Sequence, residues 1–154
     1  MGVVGLIMKI STKGRYGLRF MMDITLHATQ KTIALKDVAQ RQNISEKYLW
    51  QVIKPLKQAG FIKTIRGAKG GFALALPPEK ITVNDIVSVL EGNPLIIECA
   101  ASPGACPRSA DCAAREMWKT LADTLAEAMR GITLQMLAEK QKVKNLGRAV
   151  VYDI

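Results

Sequence analysis

Three cysteines carry the most distinctive chemistry in this chain. Cys99, Cys106 and Cys112 lie within fourteen residues, with six residues between the first two and five between the second two. The chain has no other cysteine. An odd number of thiols in one short segment argues against a disulfide framework and for metal or redox chemistry. Zinc sites usually pair their cysteines across gaps of about two to four residues, a spacing missing here. Wider, even intervals in a Gly- and Pro-rich stretch let the chain wrap around something larger than one ion, which suits an iron–sulfur cluster. Three thiolates leave one ligand position open, and a cluster held that way is accessible to oxidants and small molecules. A zinc ion, and free thiols that act as a redox switch or have no role, are the readings the spacing leaves open.

The second suggestive set is basic. The 154 residues include 22 Lys and Arg against 13 Asp and Glu, a formal net charge of +9. Residues 1–80 hold fourteen basic and four acidic side chains, and residues 81–154 hold eight and nine. All of the excess therefore sits in the first half, the pattern of a polyanion-binding module joined to a neutral partner. Within that half, SEKYLWQVIKPLKQAG places Ser45, Lys47, Tyr48 and Gln51 at the start of a helix. Gln can read adenine through two hydrogen bonds, Lys can read guanine acceptors and Ser either, each good pair contributing roughly 1–3 kcal/mol of discrimination. Lys54 and Lys57 suit phosphates. RGAKGG carries Arg66 and Lys69 beside Gly67 and Gly70, which let a backbone approach DNA closely enough for minor-groove insertion. Lys13, Arg15 and Arg19 add candidate phosphate contacts. The competing reading is a solvated basic face on a fold used for protein contacts.

The elements that must position these residues follow from periodicity. Thr12 is a candidate N-cap for a helix carrying Leu18, Met21, Ile24, Thr25 and Ala28 to about Gln30. A short helix spans 35–42, and Asn43 suits a tight turn. Ser45 caps the next helix, which Gly60 ends and in which Pro55 predicts a bend. Leu49, Val52, Ile53 and Leu56 form its packing stripe, opposite Lys47, Gln51, Lys54 and Gln58. The period then becomes two: FIKTIRG, with Phe61 and Ile65 flanking alternate polar residues, turns at AKGG and returns as FALAL. Two helices around a short turn followed by a basic hairpin is the winged helix-turn-helix order.

Beyond it, Thr82 caps VNDIVSVLEG, which Gly92 and Pro94 close. The expected organisation is an extension at 1–7, a DNA-binding domain at 8–80, a connecting helix at 81–92 and an aperiodic cysteine loop at 93–112. A long pairing helix at 113–141 and an unpatterned tail at 142–154 follow. Trp118, Leu121, Leu125, Met129, Ile132 and Met136 make a seam suited to another helix, and Gly131 and Thr133 are candidate interruptions. The fold class is mainly α with a small β-wing.

Composition excludes several alternatives. With 49% hydrophobic and 23% charged residues the chain can bury a core. No run approaches the ~18 consecutive apolar residues of a membrane span. MGVVGLIM is short and has no charge ahead of it, so it is a poor signal peptide, and the expected compartment is cytoplasmic. No nucleophile–base pair, phosphate loop or catalytic carboxylate pair is recognisable, so the chain is not expected to be an enzyme. His27 reads as a surface or partly buried helix residue and Trp118 as core or seam. Trp50, on the reading helix, fits packing and DNA contact equally well.

Together MKISTKGRYGLR, DVAQRQNISEKYLWQVIKPLKQAGFIKTIRGAKGGFAL and the three cysteines followed by REMW resemble the IscR-like family of bacterial winged-helix regulators, from Met8 to about Leu137. The resemblance implies a cytoplasmic homodimer that pairs through its long helices. Such a dimer reads a pseudo-palindromic operator in double-stranded DNA, often as a repressor. It also implies that Cys99, Cys106 and Cys112 match the family's cluster cysteines. Members that sense cluster status commonly carry a 2Fe–2S cluster, nitric-oxide-sensing relatives a 4Fe–4S cluster, and others are thiol-based. Two positions depart from the pattern. Where the IscR type has a histidine three residues after the last cysteine, this chain has Arg115, which cannot ligate iron. Where the nitric-oxide-sensing type has an aspartate in the first helix, it has Arg15. Glu98, Asp111 and Glu116 are the nearby acids. The expected function is a cluster-responsive regulator. The alternatives are a cluster-free thiol- or metabolite-responsive regulator and, from another class, a small iron–sulfur electron carrier or scaffold.

Overall fold

The computed structural model describes residues 10–27, 29, 32–92 and 97–151. The expectations for residues 1–7, Ala28, Gln30 and Pro94 and for the last three residues lie outside them. Helix α1 (Thr12–Leu26) begins the described chain. Its cap is Ser11, one residue before the expected Thr12: the Ser11 hydroxyl accepts from the Lys13 and Gly14 N–H groups at 3.1 and 3.4 Å. Thr12 Oγ1 instead accepts from Arg15. Helix α2 (Leu35–Gln42) closes on Asn43, whose backbone is left-handed at φ 53°, ψ 50°. Helix α3 (Glu46–Gln58) is capped by Ser45, which accepts from the Tyr48 N–H at 3.2 Å, and it continues through Pro55.

Leu49, Val52, Ile53 and Leu56 of α3 are all buried, as their spacing predicts. They meet Phe20, Met21 and Ile24 of α1 and Val38 of α2 in one core. Strands β1 (Ile62–Ile65) and β2 (Gly71–Leu74) form an antiparallel hairpin in which Ile62 faces Leu74 and Ile65 faces Gly71. Its phase differs from the expected one. Ile62 is the buried residue, and Ile65, at 36% exposure, points out at the far end of the strand. Ile33 adds a third rung by exchanging two 2.9 Å backbone hydrogen bonds with Phe72.

Helix α4 (Val83–Glu91) opens with a capping box: the Thr82 hydroxyl accepts from the Asp85 N–H while the Asp85 carboxylate accepts from the Thr82 N–H. It lies against α1 at Gly14 and Gly17, where a Cβ would come within 2.5 Å of Glu91 Oε1 and 2.0 Å of Leu90 Cδ1. The segment expected to be aperiodic contains a one-turn helix, α5 (Glu98–Ala101), and a 3₁₀ turn at Pro103–Ala105. A four-residue helix is too short to show a period, which is why composition alone reads as loop.

The expected single helix over 113–141 is two helices, α6 (Ala113–Arg130) and α7 (Leu134–Val151), so the expected tail is helical as far as Val151. The break has a backbone cause. Ile132 O accepts from the Val83 N–H at 2.9 Å and the Leu134 N–H donates to Ile81 O at 2.8 Å, pairing this stretch with the lead-in to α4. Leu134 and Ala138 are buried, and α7 packs on α1.

Candidate DNA-reading face and cysteine segment

The outer face of α3 follows from its inner one. With the apolar stripe in the core, Lys47, Gln51, Lys54 and Lys57 are exposed, as is Ser45 at the helix entry. Tyr48 departs from this group: it is half-buried, edge-on to Tyr16 with ring centroids 5.5 Å apart. The Arg19 guanidinium lies 5.5 Å above the Tyr16 ring and donates to Gln42 O at 2.6 Å. Arg15 is exposed near the start of α1.

The hairpin tip presents Arg66 and Lys69 to solvent. Gly67 has a φ of 128°, a conformation that disfavours side chains. Gly70 is required for a different reason: a Cβ there would sit 2.6 Å from Ile65 O and 2.9 Å from Gly67 O. These glycines thus build the turn itself, independently of any approach to DNA. Thr32, which the sequence did not single out, donates from Oγ1 to Lys69 O at 2.6 Å and ties the tip to the strand before α2. An open cleft of about 700 Å³ lies between that strand and the tip, bordered by Thr32, Asp37, Arg66 and Lys69.

Behind the reading helix lies a buried ionic network with no motif to announce it. Asp23 is 1% exposed. Its carboxylate accepts from Arg41 Nε at 3.2 and 3.0 Å, from Arg41 Nη2 at 2.5 Å and from Gln42 Nε2 at 2.8 Å. Hydrogen bonding to Asp23 holds the Arg41 guanidinium above its ordinary pKa. His27 Nδ1 lies 2.8 Å from the Asp23 carbonyl and is half-buried, as its sequence context suggested. The network bolts α2 to α1 and so sets where α3 projects.

The cysteines are free and half-buried: Cys99 on α5, Cys106 after the 3₁₀ turn and Cys112 at the N-cap of α6. Arg115 crosses this segment, donating from Nε to Cys99 O at 2.7 Å, with Nη1 3.5 Å from Ser109 O. Ser109 Oγ donates to Cys106 O at 2.7 Å. A shallow cleft of about 430 Å³ opens beside Cys106, Ser109 and Arg115. Among the described residues no three His, Cys, Asp or Glu side chains are gathered closely enough to hold a metal ion. The segment thus supplies three thiols that are not gathered in this arrangement, and the α6 side chain hydrogen-bonded across it is a guanidinium with no lone pair to offer.

Glu91, just ahead of this segment, is also missing from the sequence reading. Its Oε1 accepts from the Gly14 N–H at 2.8 Å and from the Ser11 hydroxyl, closing the N-terminus of α1 from a distance of 77 residues or more. A carboxylate there also meets the positive end of the helix dipole. On α6 only Ala122 is buried, and Met117 and Leu121 are about half exposed. No helix among the described residues is long and apolar enough to cross a membrane.

A helix-turn-helix whose second helix exposes Lys47, Gln51 and Lys54 beside a basic two-stranded wing defines a winged helix-turn-helix DNA-binding regulator. Residues 10–140 match the family model described as "Rrf2: Iron-dependent Transcriptional regulator". The chain belongs to this family, as an IscR-like member. It is 43% identical over 131 residues to the transcriptional regulator CymR of Bacillus subtilis, covering 85% of this chain and 90% of the relative. Protein rrf2 of Nitratidesulfovibrio vulgaris is 40% identical over 127 residues, 82% of this chain and 85% of the relative. The solved structure of CymR, the global cysteine regulator of B. subtilis, superposes with a TM-score of 0.70 at 40% identity, covering 86% of this chain and 97% of that one. T. potens IscR superposes with a TM-score of 0.73 at 36% identity, covering 91% of each chain.

Proposed function

We propose that the chain is a homodimeric, sequence-specific transcription regulator of the cytoplasm. It reads a pseudo-palindromic operator and changes its affinity with the state of the segment bearing Cys99, Cys106 and Cys112. The observation that carries this reading is the exposed polar face of α3 standing beside the Arg66–Lys69 wing tip. Ser45, Lys47 and Gln51 meet base edges in the major groove, with Tyr48 held at the rim by Tyr16. Lys54 and Arg15 meet phosphates, and Arg66 and Lys69 enter the minor groove on the turn that Gly67 and Gly70 build. The unpartnered apolar seam on α6 pairs two copies, so two reading heads face successive turns of the duplex.

Three thiols within fourteen residues support an iron–sulfur cluster that Cys99, Cys106 and Cys112 would hold once drawn together, with 2Fe–2S favoured over 4Fe–4S. When bound, such a cluster supplies iron chemistry that responds to oxygen, nitric oxide and iron supply. The chain's own residues supply the coupling. Arg115 straps the segment to α6, α6 packs on α4, and Glu91 of α4 caps α1. A rearrangement of the cysteines therefore reaches the helix that carries Arg15 and Arg19. A coupling free energy of about 1–3 kcal/mol is enough to change operator occupancy severalfold or more.

A second reading, a cluster-free thiol- or metabolite-responsive regulator, is favoured by two observations. The three thiols are not gathered, and a relative at 43% identity is described as a cysteine regulator. Anaerobic purification from iron-replete cells, with iron and sulfide analysis and electron-resonance spectra, separates the two. The cluster reading expects a coloured protein whose colour is lost in the triple Cys→Ala variant. A colourless, iron-free preparation whose DNA affinity still responds to oxidants supports the thiol reading. Absence of any sequence-specific duplex affinity would overturn both regulator readings.

A further inference from the structure

One large aromatic residue on the reading helix is left in water. Trp50 is 54% exposed, whereas Leu49, Val52, Ile53 and Leu56 around it are at most 1% exposed. Its ring meets Phe72 of β2 edge-on, with centroids 5.6 Å apart and planes at 74°. That contact leaves more than half of the residue in water. The rest borders an open groove of about 520 Å³ formed with Ile53, Lys54, Lys57 and Gln58.

The position of Trp50 narrows what can cover it. At 100° per residue, Lys47, Gln51 and Lys54 point directly away from the core. Trp50 and Lys57, seven residues apart, share the flank turned toward the wing. The groove therefore lies along α3 itself, on the flank where Trp50 meets Phe72 of the hairpin, and so belongs to the helix that reads DNA in the proposed function, on which this inference rests. Its floor is apolar and its rim carries two ammonium groups and no acid. An apolar peptide would gain nothing from the lysines, and an isolated anion would gain nothing from the indole. A polyanion whose charges are separated by flat apolar faces satisfies both.

We propose that Trp50 is a DNA-contact residue. Its exposed indole is covered by the sugar and base edge of the strand lying along this flank of α3, and Lys54 and Lys57 hold the flanking phosphates. Aromatic contacts of this kind add affinity without counterion release, whereas each lysine–phosphate contact adds to the salt dependence. The two contributions are therefore separable in one titration.

The probe is a 40-base-pair duplex recovered from a random pool by selection on the full-length wild-type chain. Binding is followed by intrinsic emission and by anisotropy of a labelled duplex across a salt series. Duplex should quench wild-type emission, and the quench should vanish in Trp50→Phe, which assigns it to Trp50 rather than Trp118. Trp50→Ala should weaken binding tenfold or more with the slope of log K against log salt unchanged. Lys54→Ala and Lys57→Ala should each reduce that slope by about one. Emission that ignores saturating duplex would overturn the proposal. So would a Trp50→Ala loss accompanied by a smaller salt slope, because Trp50 would then only brace Phe72 and the charged wing. A selection that enriches no duplex removes the DNA-binding reading first, and this inference with it.

Discussion

The Asp23 network allows an asymmetric prediction about its two partners. Asp23 is sealed at 1% exposure, whereas the Arg41 side chain is 33% exposed and can turn outward into water. Removing Arg41 strands a carboxylate that only Gln42 and the edge of His27 then face. Breaking a buried pair in this way costs about 3–5 kcal/mol. The lower end applies here, because Gln42 Nε2 still donates to Oδ2 at 2.8 Å. Arg41→Ala should therefore destabilise by about 3 kcal/mol, a large share of the roughly 5–15 kcal/mol typical of a domain. Asp23→Ala removes the buried charge together with its partner's hydrogen bonds and frees Arg41 to solvent, at about 1–2 kcal/mol. In that background Arg41→Ala becomes a surface change of no more than about 0.5 kcal/mol. Urea unfolding of the four proteins closes the cycle, with an expected coupling near 2.5 kcal/mol. The pair should be insensitive to alkali. The guanidinium pKa is raised in the fold by its hydrogen bonds to Asp23, so the stability it confers is fully present below the unfolded value and is lost only as strong alkali carries the pH up through the higher folded value. Additive single-variant effects, or an Arg41→Ala cost below 1 kcal/mol, would refute this account.

Three further outcomes follow from contacts elsewhere. Gly17→Ala should be destabilising, although the change normally favours a helix interior by roughly 0.5–1 kcal/mol. Its Cβ would meet Leu90 Cδ1 at 2.0 Å and Val52 Cγ1 at 3.3 Å, and overpacking costs about 1–3 kcal/mol, so a lowered Tm is expected. Glu91→Ala should remove about 1–2 kcal/mol by opening the N-terminus of α1, and amide exchange should accelerate first at Lys13 and Gly14. Thr32→Val should leave Tm within a few degrees, since one exposed hydrogen bond contributes about 1 kcal/mol, but it should weaken duplex binding by loosening the Lys69 carbonyl. Unaltered affinity in gel-shift titration would show that the wing tip holds its shape without Thr32.

What the sequence disclosed and what it concealed divide by range. Caps at Ser45 and Thr82, the left-handed Asn43 and the α3 stripe are settled within about four residues, and all are legible as written. The hairpin was legible as a hairpin, but its phase was not. Phe61 and Ile62 are adjacent and both apolar, so alternation cannot choose between them. Phe72, held against Ile33, favours Ile62, and that rung joins residues 39 apart. Glu91 and Asp23 illustrate the same limit from the polar side. Each looks like an ordinary helix acid until the chain folds a backbone N–H or a guanidinium against it. The α6–α7 break was half legible: it falls at Gly131 and Thr133, the candidate interruptions, although the apolar spacing reads as one helix. Its heptad-like spacing runs unbroken through Gly131 to Met136, because helical periodicity survives a turn that conserves the count of residues. What ends the helix is the demand of Ile81 and Val83 for backbone partners, and a hydrophobic pattern carries no record of hydrogen bonds. The same blindness affects the seam: Leu121 is spaced identically whether its neighbour is this chain or another copy. Only its 53% exposure in the single chain separates the two cases.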